Sequence, residues 1–208
     1  LRIDNVTAKN QLLINLLPHS SICSIDENKG DDFCLILHTS GTTSRPKQVL
    51  LSCTNIISSA FNICSVLKLE QSDKGLNIMP LFHIHGLIAS LLSSVVTGSS
   101  LVCTGGFNAL SFYANLNTFK PTWITAVPTM YQAILSRASR NKEIIKAANL
   151  RLLRSSSAAM PVATIEALEY VFQCPVIEAY GMTEASHQMA SNFLHSTRKP
   201  GSVGKAAG

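Results

Sequence analysis

The stretch Phe33-Cys-Leu-Ile-Leu-His-Thr-Ser-Gly-Thr-Thr-Ser-Arg-Pro-Lys47 joins an apolar run to a segment rich in hydroxyl side chains. Its apolar part, Phe33 to Leu37, predicts a short buried strand. Apolar residues at helical spacing follow between Ile56 and Leu67, and either Ser52 or Thr54 can serve as the N-cap of this helix. A strand, a polar loop and a helix in this order are typical of an α/β fold.

Strand and helix patterns alternate along the rest of the chain. Further short strands are predicted at Gly75 to Met79, Leu101 to Cys103, Thr122 to Ala126, Arg151 to Ser155 and Val176 to Ala179. Helices are predicted at Thr7 to Leu17, Ile84 to Val96, Ala109 to Phe119, Thr129 to Ser139 and Val162 to Phe172. The alternation predicts a mainly parallel β-sheet layered with helices, and ligands bind such sheets at the carboxyl ends of their strands.

The composition is that of a folded protein. Hydrophobic residues make up 46% of the 208 positions and charged residues 14%, which excludes a disordered chain. The formal net charge of +5 comes from 17 basic and 12 acidic residues, which form no block of like charge. Charge therefore gives no support to a nucleic-acid partner and predicts only a mild preference for anions.

Residues 75 to 119 contain no Asp, Glu, Lys or Arg, so a membrane span has to be considered. Asn, Pro, His, Gly and Ser recur too often there for a transmembrane helix, and a buried core segment is the better interpretation.

The closest of the six cysteines, 23 with 34 and 53 with 64, are 11 positions apart, so no CxxC pair exists. This pattern favours buried thiols in an intracellular protein, either cytoplasmic or peroxisomal. Leu1 begins no signal peptide and Gly208 lies in a Gly-rich turn sequence, so both ends are expected to be cut.

The loop from Thr39 to Lys47 has the chemistry of a phosphate-binding segment. Its hydroxyl groups, glycine and lysine supply donors and a positive charge for a polyphosphate. The alternative, a solvated Ser/Thr turn, needs fewer hydroxyl groups than this loop contains. A Walker P-loop is excluded because Pro46 and Gln48 stand where that motif requires Gly and Ser or Thr. The candidate phosphate ligands are Thr39, Ser40, Gly41, Thr42, Thr43 and Lys47.

This loop resembles the phosphate loop of the adenylate-forming enzymes, a superfamily of acyl-CoA synthetases, luciferases and peptide-synthetase adenylation domains. Further matching stretches follow in the same order: Pro80-Leu-Phe-His-Ile-His-Gly86, Ala126-Val-Pro-Thr129, Ser155-Ser-Ser-Ala-Ala-Met-Pro161 and Tyr180-Gly-Met-Thr-Glu-Ala185. The resemblance covers nearly the whole chain. It implies that residues 1–208 are an AMP-binding segment of the large N-terminal domain, and that the C-terminal domain with the catalytic lysine is absent.

Within the superfamily, the chain is most similar to the oxalate-CoA ligases. The stretches that carry this finer likeness are Ser44-Arg45, Phe82-His-Ile-His-Gly86, Trp123 to Pro128, Arg154-Ser-Ser-Ser-Ala158 and Glu178-Ala-Tyr-Gly-Met-Thr-Glu-Ala-Ser-His187. One departure is Gln48, where the family usually has glycine after the lysine.

The resemblance implies a reaction in which MgATP adenylates a carboxylate, pyrophosphate leaves, and the acyl group passes to the thiol of coenzyme A. Thr183 is expected to bond the α-phosphate and Glu184 to bind Mg²⁺, while Tyr180 stacks on adenine. The catalytic residues implied in this way are Thr183, Glu184 and His83. The nucleotide ligands outside the phosphate loop are Ser156, Ser157, Ala158, Glu178, Ala179, Tyr180, Gly181 and Thr183.

The acid pocket is expected to be polar. His83, His85 and His187 are three of the six histidines, and all lie in the matched motifs. His83 matches the gate between the acid and nucleotide sites of the family. His85, Ser157 and His187 can hydrogen-bond a second carboxylate, which favours a small polar acid such as oxalate over a fatty acid.

Three classes of function stay open from the sequence. The first is a segment of an AMP-forming ligase for oxalate or for another short- or medium-chain acid. The second is an ATP- or AMP-binding module without turnover, and the third is a structural protein derived from a ligase by truncation. The expected partners are small molecules, namely a carboxylate, ATP and coenzyme A.

Overall fold

The computed structural model describes residues 2–6, 11–15, 33–39 and 46–207, with backbone alone before residue 33. Its strands are β1 (Arg2–Val6), β2 (Gln11–Asn15), β3 (Phe33–Thr39), β4 (Lys47–Ser52), β5 (Lys74–Asn77), β6 (Ser100–Cys103), β7 (Trp123–Ala126), β8 (Leu152–Ser155), β9 (Val176–Met182), β10 (His187–Ser191) and β11 (Lys205–Ala206). Its α-helices are α1 (Cys53–Leu67), α2 (Ser93–Val96), α3 (Phe112–Phe119), α4 (Pro128–Leu135), α5 (Lys142–Lys146) and α6 (Val162–Phe172). A π-helix spans His85–Leu92, and 3₁₀ turns span Ala138–Arg140 and Thr183–Ala185.

A mixed sheet of nine described strands forms the centre of the fold, in the order β1-β2-β6-β5-β7-β8-β9-β10-β11. Its middle, from β6 to β9, is parallel. Antiparallel strands flank it on both sides. Every residue of β7 and β8 is buried, as expected for parallel strands with both faces covered. The prediction of an α/β fold with a mainly parallel sheet is confirmed.

Helices cover both faces of this sheet because successive strand residues point in opposite directions. On β8, Leu153 packs in the cluster formed with α3, α4 and α6, whereas its neighbour Leu152 packs in the cluster formed with α1 and the π-helix. On β7, Ile124 and Trp123 divide between the two clusters in the same way. Burying a leucine or isoleucine side chain contributes roughly 1.5 to 3 kcal/mol before entropic costs.

Several predicted boundaries agree with the structure. The helix predicted at Val162 to Phe172 is α6, residue for residue. Ser52 is the N-cap of α1: its Oγ accepts from the backbone N–H of Asn55, and its own N–H donates to Asn55 Oδ1, both at 3.2 Å. The strands and helices within residues 75–119 contribute Leu76, Val102 and Leu116 to the core, whereas Phe82 and Leu110, in its loops, are exposed. Across the described ranges, no helix is long and apolar enough to cross a membrane.

The helix predicted at Thr7 to Leu17 is wrong. The described part of this segment is strand β2, which pairs antiparallel with β1 and with β6. A short apolar run such as Leu12-Leu-Ile14 fits a helix or a strand equally well, and pairing with β6 decides in favour of the strand.

The run Phe33 to Leu37 is a strand, but its predicted burial is wrong. It belongs to β3, which pairs with β4 in a separate two-stranded sheet rather than with the central one. Leu35 and Leu37 pack against the α1 side of the core, whereas Phe33 and Ile36 are 66% and 54% exposed. Cys34 is exposed as well, contrary to the prediction of buried thiols, whereas Cys64, Cys103 and Cys174 are buried as predicted.

One ion pair joins the amino ends of three neighbouring strands. Asp73 precedes β5, Thr122 precedes β7 and Arg151 precedes β8; we call these three residues the Asp73 clamp. Asp73 Oδ1 accepts from Thr122 Oγ1 at 2.6 Å and Arg151 Nε at 3.1 Å, while Oδ2 accepts from Arg151 Nη2 at 2.6 Å and the N–H of Glu70 at 2.9 Å. Burial raises the pKa of Asp73, but the donors from Arg151 and Thr122 outweigh it and hold the pKa below its usual value. The clamp therefore aligns the strands at the edge opposite to their carboxyl ends.

Candidate active site

The loops that follow β5, β7, β8 and β9 surround a cavity of about 480 Å³. This is the edge of a parallel sheet at which ligands bind. Six of the residues predicted for the site line this cavity: His83, His85, Ser157, Gly181, Thr183 and His187. The apolar residues of its wall are Met79, Pro80, Ile84, Val127, Met130 and Met182.

His85 reaches the cavity from the loop after β5. The loop begins with a local turn in which Asn77 Nδ2 donates to the carbonyl of Met79 at 3.0 Å. It then folds so tightly that a Cβ on Gly86 would collide with the carbonyl of Pro80. The π-helix begins at His85, which is buried, whereas His83 stays exposed at the rim. Wide π turns of this kind often occur at functional sites.

The imidazole of His85 is held at both nitrogens. Nδ1 lies 2.9 Å from Ser157 Oγ, and Nε2 lies 2.7 Å from Thr125 Oγ1 on β7. Burial, followed by the electrostatic effects of the Arg154 guanidinium and of the neighbouring His83, lowers the pKa of His85 well below its usual value. The ring is therefore neutral at pH 7.

His187 stacks on His85, with ring centroids 5.0 Å apart and planes 28° from parallel. The backbone reaches this position through two left-handed residues, Ser186 with φ 54° and His187 with φ 91°. On the facing strand a Cβ at Gly181 would collide with the carbonyl of His187, so the close approach requires glycine. Burial and the charge of Arg154 lower the pKa of His187 well below its usual value, so this ring is neutral as well.

Arg154 on β8 lies behind the two imidazoles and is 0% exposed. Nη1 donates to Thr125 Oγ1 at 3.3 Å, and Nη2 donates to His187 Nε2 at 3.2 Å and to Gln188 Oε1 at 3.1 Å. Burial lowers the pKa of Arg154 to about 10, which still leaves the guanidinium protonated at pH 7. We call Arg154, Thr125, His85, Ser157, His187 and Gln188 the Arg154 network.

Sequence reasoning missed Arg154 and Thr125 as site residues. Both lie inside predicted strands rather than in the loops after them. The signal that could have identified Arg154 is its position directly after Leu152-Leu153, in a strand expected to be buried on both faces. A charged residue in such a strand is rarely buried without partners.

The loop after β8 contains three of the predicted nucleotide ligands, Ser156, Ser157 and Ala158. Ser156 is fully buried, and its Oγ has no hydrogen-bond partner among the residues that the structure describes. Ser157 and Ala158 are exposed, and Ser157 has a positive φ of 73°. A left-handed serine stores backbone strain of about 1 to 3 kcal/mol, which is common at binding sites.

The end of β9 places the other predicted nucleotide residues. Tyr180 is 49% exposed and Ala179 is buried. Thr183 is half-buried and Glu184 is exposed in the 3₁₀ turn that follows. Glu178 is buried, with its Oε2 accepting from the N–H of Gly201 at 2.9 Å, and burial raises its pKa.

The phosphate loop is described only at its two ends. Thr39 and Lys47 pair with each other at the ends of β3 and β4, while Ser40, Gly41, Thr42 and Thr43 lie outside the described residues. Strand β4 contacts the 3₁₀ turn Thr183–Ala185. The strand that follows the loop therefore lies beside the residues predicted for the α-phosphate and Mg²⁺.

No group of three or more His, Cys, Asp or Glu side chains is arranged to hold a metal ion within the described ranges. Glu184 is a single exposed carboxylate. One or two carboxylates are sufficient for Mg²⁺ when the phosphates of a nucleotide supply the remaining ligands. The arrangement thus fits a metal that arrives with its nucleotide.

Comparison of the sequence with known proteins identifies the family of this chain. Residues 3–208 match the family described as AMP-binding enzyme. The chain belongs to the AMP-binding enzyme family. The oxalate–CoA ligase of Arabidopsis thaliana is 44% identical over 220 aligned positions, which cover 100% of this chain and 43% of that protein. The probable CoA ligase CCL9 of Humulus lupulus is 47% identical, over 100% of this chain and 42% of that protein.

A solved structure of a malonyl-CoA ligase, with methylmalonyl-CoA and AMP bound, superimposes with a TM-score of 0.80 and 32% sequence identity. The superposition covers 88% of this AMP-binding family member and 39% of the ligase. The chain therefore spans less than half the length of the relatives that it matches.

Proposed function

We propose that residues 1–208 are the AMP-binding segment of an AMP-forming acyl-CoA ligase that activates a small carboxylic acid, with oxalate as the preferred substrate. The observation that carries the proposal is the meeting of His85, Ser157 and His187 at one cavity beside Thr183. In this proposal the domain with the catalytic lysine lies outside residues 1–208.

The nucleotide half of the site is assigned to the ends of β3, β4 and β9. Thr39, Lys47 and the loop between them would hold the β and γ phosphates through hydroxyl groups, backbone N–H groups and the lysine ammonium. Thr183 would donate to the α-phosphate, and the exposed carboxylate of Glu184 would bind the Mg²⁺ of MgATP. The half-exposed ring of Tyr180 offers a stacking surface for adenine.

The acid half of the site is assigned to the polar wall of the cavity. A carboxylate entering the cavity loses water and needs hydrogen bonds in exchange, which Ser157 and His187 would donate while His85 holds the hydroxyl of Ser157. An alkyl tail in the same place would leave the donors of Ser157 and His187 unpaired, at a cost of about 1 to 3 kcal/mol each. His83, exposed at the rim, would separate the acid from the nucleotide.

Similarity supports the same substrate class. The relative from Arabidopsis thaliana is named for oxalate, and the superimposed structure is that of a malonyl-CoA ligase. Both names denote ligases that form CoA thioesters of short diacids, which agrees with a polar acid site.

Pyrophosphate release by the full-length protein tests this proposal. Oxalate, malonate, acetate and octanoate would each be supplied with MgATP and coenzyme A, first singly and then in competition. We expect the highest kcat/KM with oxalate and the lowest with octanoate. A preference for octanoate would contradict the acid site while leaving the adenylate-forming activity intact. No pyrophosphate release with any carboxylic acid would favour a binding module without turnover.

A further inference from the structure

We infer that Arg154 makes the polar wall of the cavity specific for an anionic group, although Arg154 itself does not line the cavity. The positive charge of Arg154 polarises two chains of hydrogen bonds, and each chain ends at this wall as a hydrogen-bond donor. The inference rests on the proposed function and extends it to the residues that determine specificity. The ligand class is a short acid with a second carboxylate or a similar oxyanion.

The first step concerns charge. The described partners of Arg154 are Thr125, His187 and Gln188, all of them neutral, and neither of the described ion pairs includes it. Its Nε has no hydrogen-bond partner within the described ranges. A buried cation without an anion is costly, so an anion that approaches it is favoured.

The first chain runs through His187. A guanidinium only donates hydrogen bonds, so His187 Nε2, 3.2 Å from Arg154 Nη2, must be the acceptor. A neutral ring that accepts at Nε2 carries its proton on Nδ1. His187 lines the cavity, and its remaining polar group is therefore an N–H donor.

The second chain runs through Thr125 and His85. Thr125 Oγ1 accepts from Arg154 Nη1, which leaves the hydroxyl proton for His85 Nε2 at 2.7 Å. His85 then holds its proton on Nδ1 and donates to Ser157 Oγ at 2.9 Å. The hydroxyl proton of Ser157, which lines the cavity, remains available to a ligand.

Both chains start at one positive charge and end as donors on the same wall. Such a wall matches a carboxylate, which only accepts, and opposes an amide, whose N–H₂ would face other donors. Oxalate and oxamate have nearly the same shape but differ in this respect, whereas acetate lacks the second polar group altogether. These three acids separate the effect of charge from the effect of size.

Three substitutions test the chains in the full-length protein. Thr125→Val removes the hydroxyl between Arg154 and His85 with little change in volume. Arg154→Met removes the charge, and Arg154→Lys keeps the charge but loses the planar fork. Thr97→Val is the matched control, because its hydroxyl bonds the carbonyls of Ser93 and Ser94 and does not line the cavity.

The readout is kcat/KM for oxalate, oxamate and acetate in pyrophosphate release, together with the KM for ATP. We expect Thr125→Val and Arg154→Met to lower kcat/KM for oxalate about tenfold or more, mainly by raising the KM for oxalate. For acetate, kcat/KM should change less than about threefold, and the KM for ATP should stay unchanged. Arg154→Lys should recover part of the loss, and Thr97→Val should behave as wild type. We expect the wild type to prefer oxalate over oxamate by a similar factor.

Equal losses for oxalate and acetate would overturn the inference, since Arg154 would then act only on structure. So would a wild type that accepts oxamate as readily as oxalate, a result that requires no variant to fold. Thermal unfolding checks that each variant is folded. If Arg154→Met does not fold, the result for Thr125→Val decides the test. A wild type that releases no pyrophosphate with any acid would overturn the proposed function itself and this inference with it.

Discussion

Replacing Asp73 by asparagine removes the negative charge of the Asp73 clamp and keeps the size of the side chain. The carboxylate accepts four hydrogen bonds, two of them from Arg151. The amide oxygen can keep the pair made with Oδ1, but the amide N–H₂ would then face the N–H of Glu70 and Nη2 of Arg151. The substitution therefore breaks an ion pair and introduces two donor–donor contacts.

The expected cost follows from burial. Removing one partner of a buried ion pair costs about 3 to 5 kcal/mol. Asp73 is buried, but the side chain of Arg151 is 33% exposed and can regain water. We therefore expect Asp73→Asn to lower the free energy of unfolding by about 2 to 3 kcal/mol at pH 7.

The cost should depend on pH in one direction. Because the pKa of Asp73 is lowered in the folded protein, its charge stabilises the fold above the unfolded pKa of about 4, and this contribution is lost as the pH falls through the folded pKa. The difference between wild type and Asp73→Asn should thus be full at pH 7 and shrink below about pH 4.

Urea unfolding, followed by circular dichroism and the fluorescence of Trp123, measures this difference. Glu70→Gln is the matched control, because it removes one exposed carboxylate while its backbone N–H still bonds Asp73. We expect the control to unfold at the wild-type midpoint. Equal midpoints for wild type and Asp73→Asn at pH 7, or a difference that persists unchanged at pH 3, would refute the role of the charge.

Two further predictions concern the nucleotide. Lys47→Ala and Thr42→Ala should each weaken MgATP binding about tenfold. The melting temperature should stay unchanged, because Lys47, the one of the two that the structure describes, is exposed. If titration calorimetry gave the wild-type affinity for MgATP in both variants, the assignment of the phosphate loop would be contradicted. Glu184→Gln should keep the fold and lower the Mg²⁺ dependence of pyrophosphate release, since the amide keeps the shape but loses the charge; a wild-type rate with a wild-type response to Mg²⁺ would exclude the metal role.

Local sequence patterns were sufficient where burial alone decides the structure. Strands β7 and β8 lie within the predicted ranges because they are short apolar runs covered on both faces. Local sequence patterns were insufficient where the pairing of a strand with a partner decides its structure. The exposure of β3 depends on its pairing with β4 outside the central sheet, and the strand at Gln11–Asn15 depends on β6; neither partner can be read from the run itself.

The candidate site divides in the same way. His85, Ser157 and Thr183 each follow a parallel strand, so their meeting could be expected from the rule that the carboxyl ends of such strands share an edge. Arg154 and Thr125 could not be identified by that rule, because they lie within strands. Their contact follows from the register in which Thr125 lies beside Arg154, and register is a property of the assembled sheet.

The Arg154 network joins residues that are distant in the sequence. Its hydrogen bonds link positions separated by 29 to 72 residues. Each link closes a long loop, and the entropy of closure must be offset before the contact can stabilise the chain. Helices such as α6 can form earlier from local contacts, whereas the Arg154 network assembles only when the last strands have paired. In the proposed function, selectivity between acids would therefore be acquired only with the complete topology of the chain.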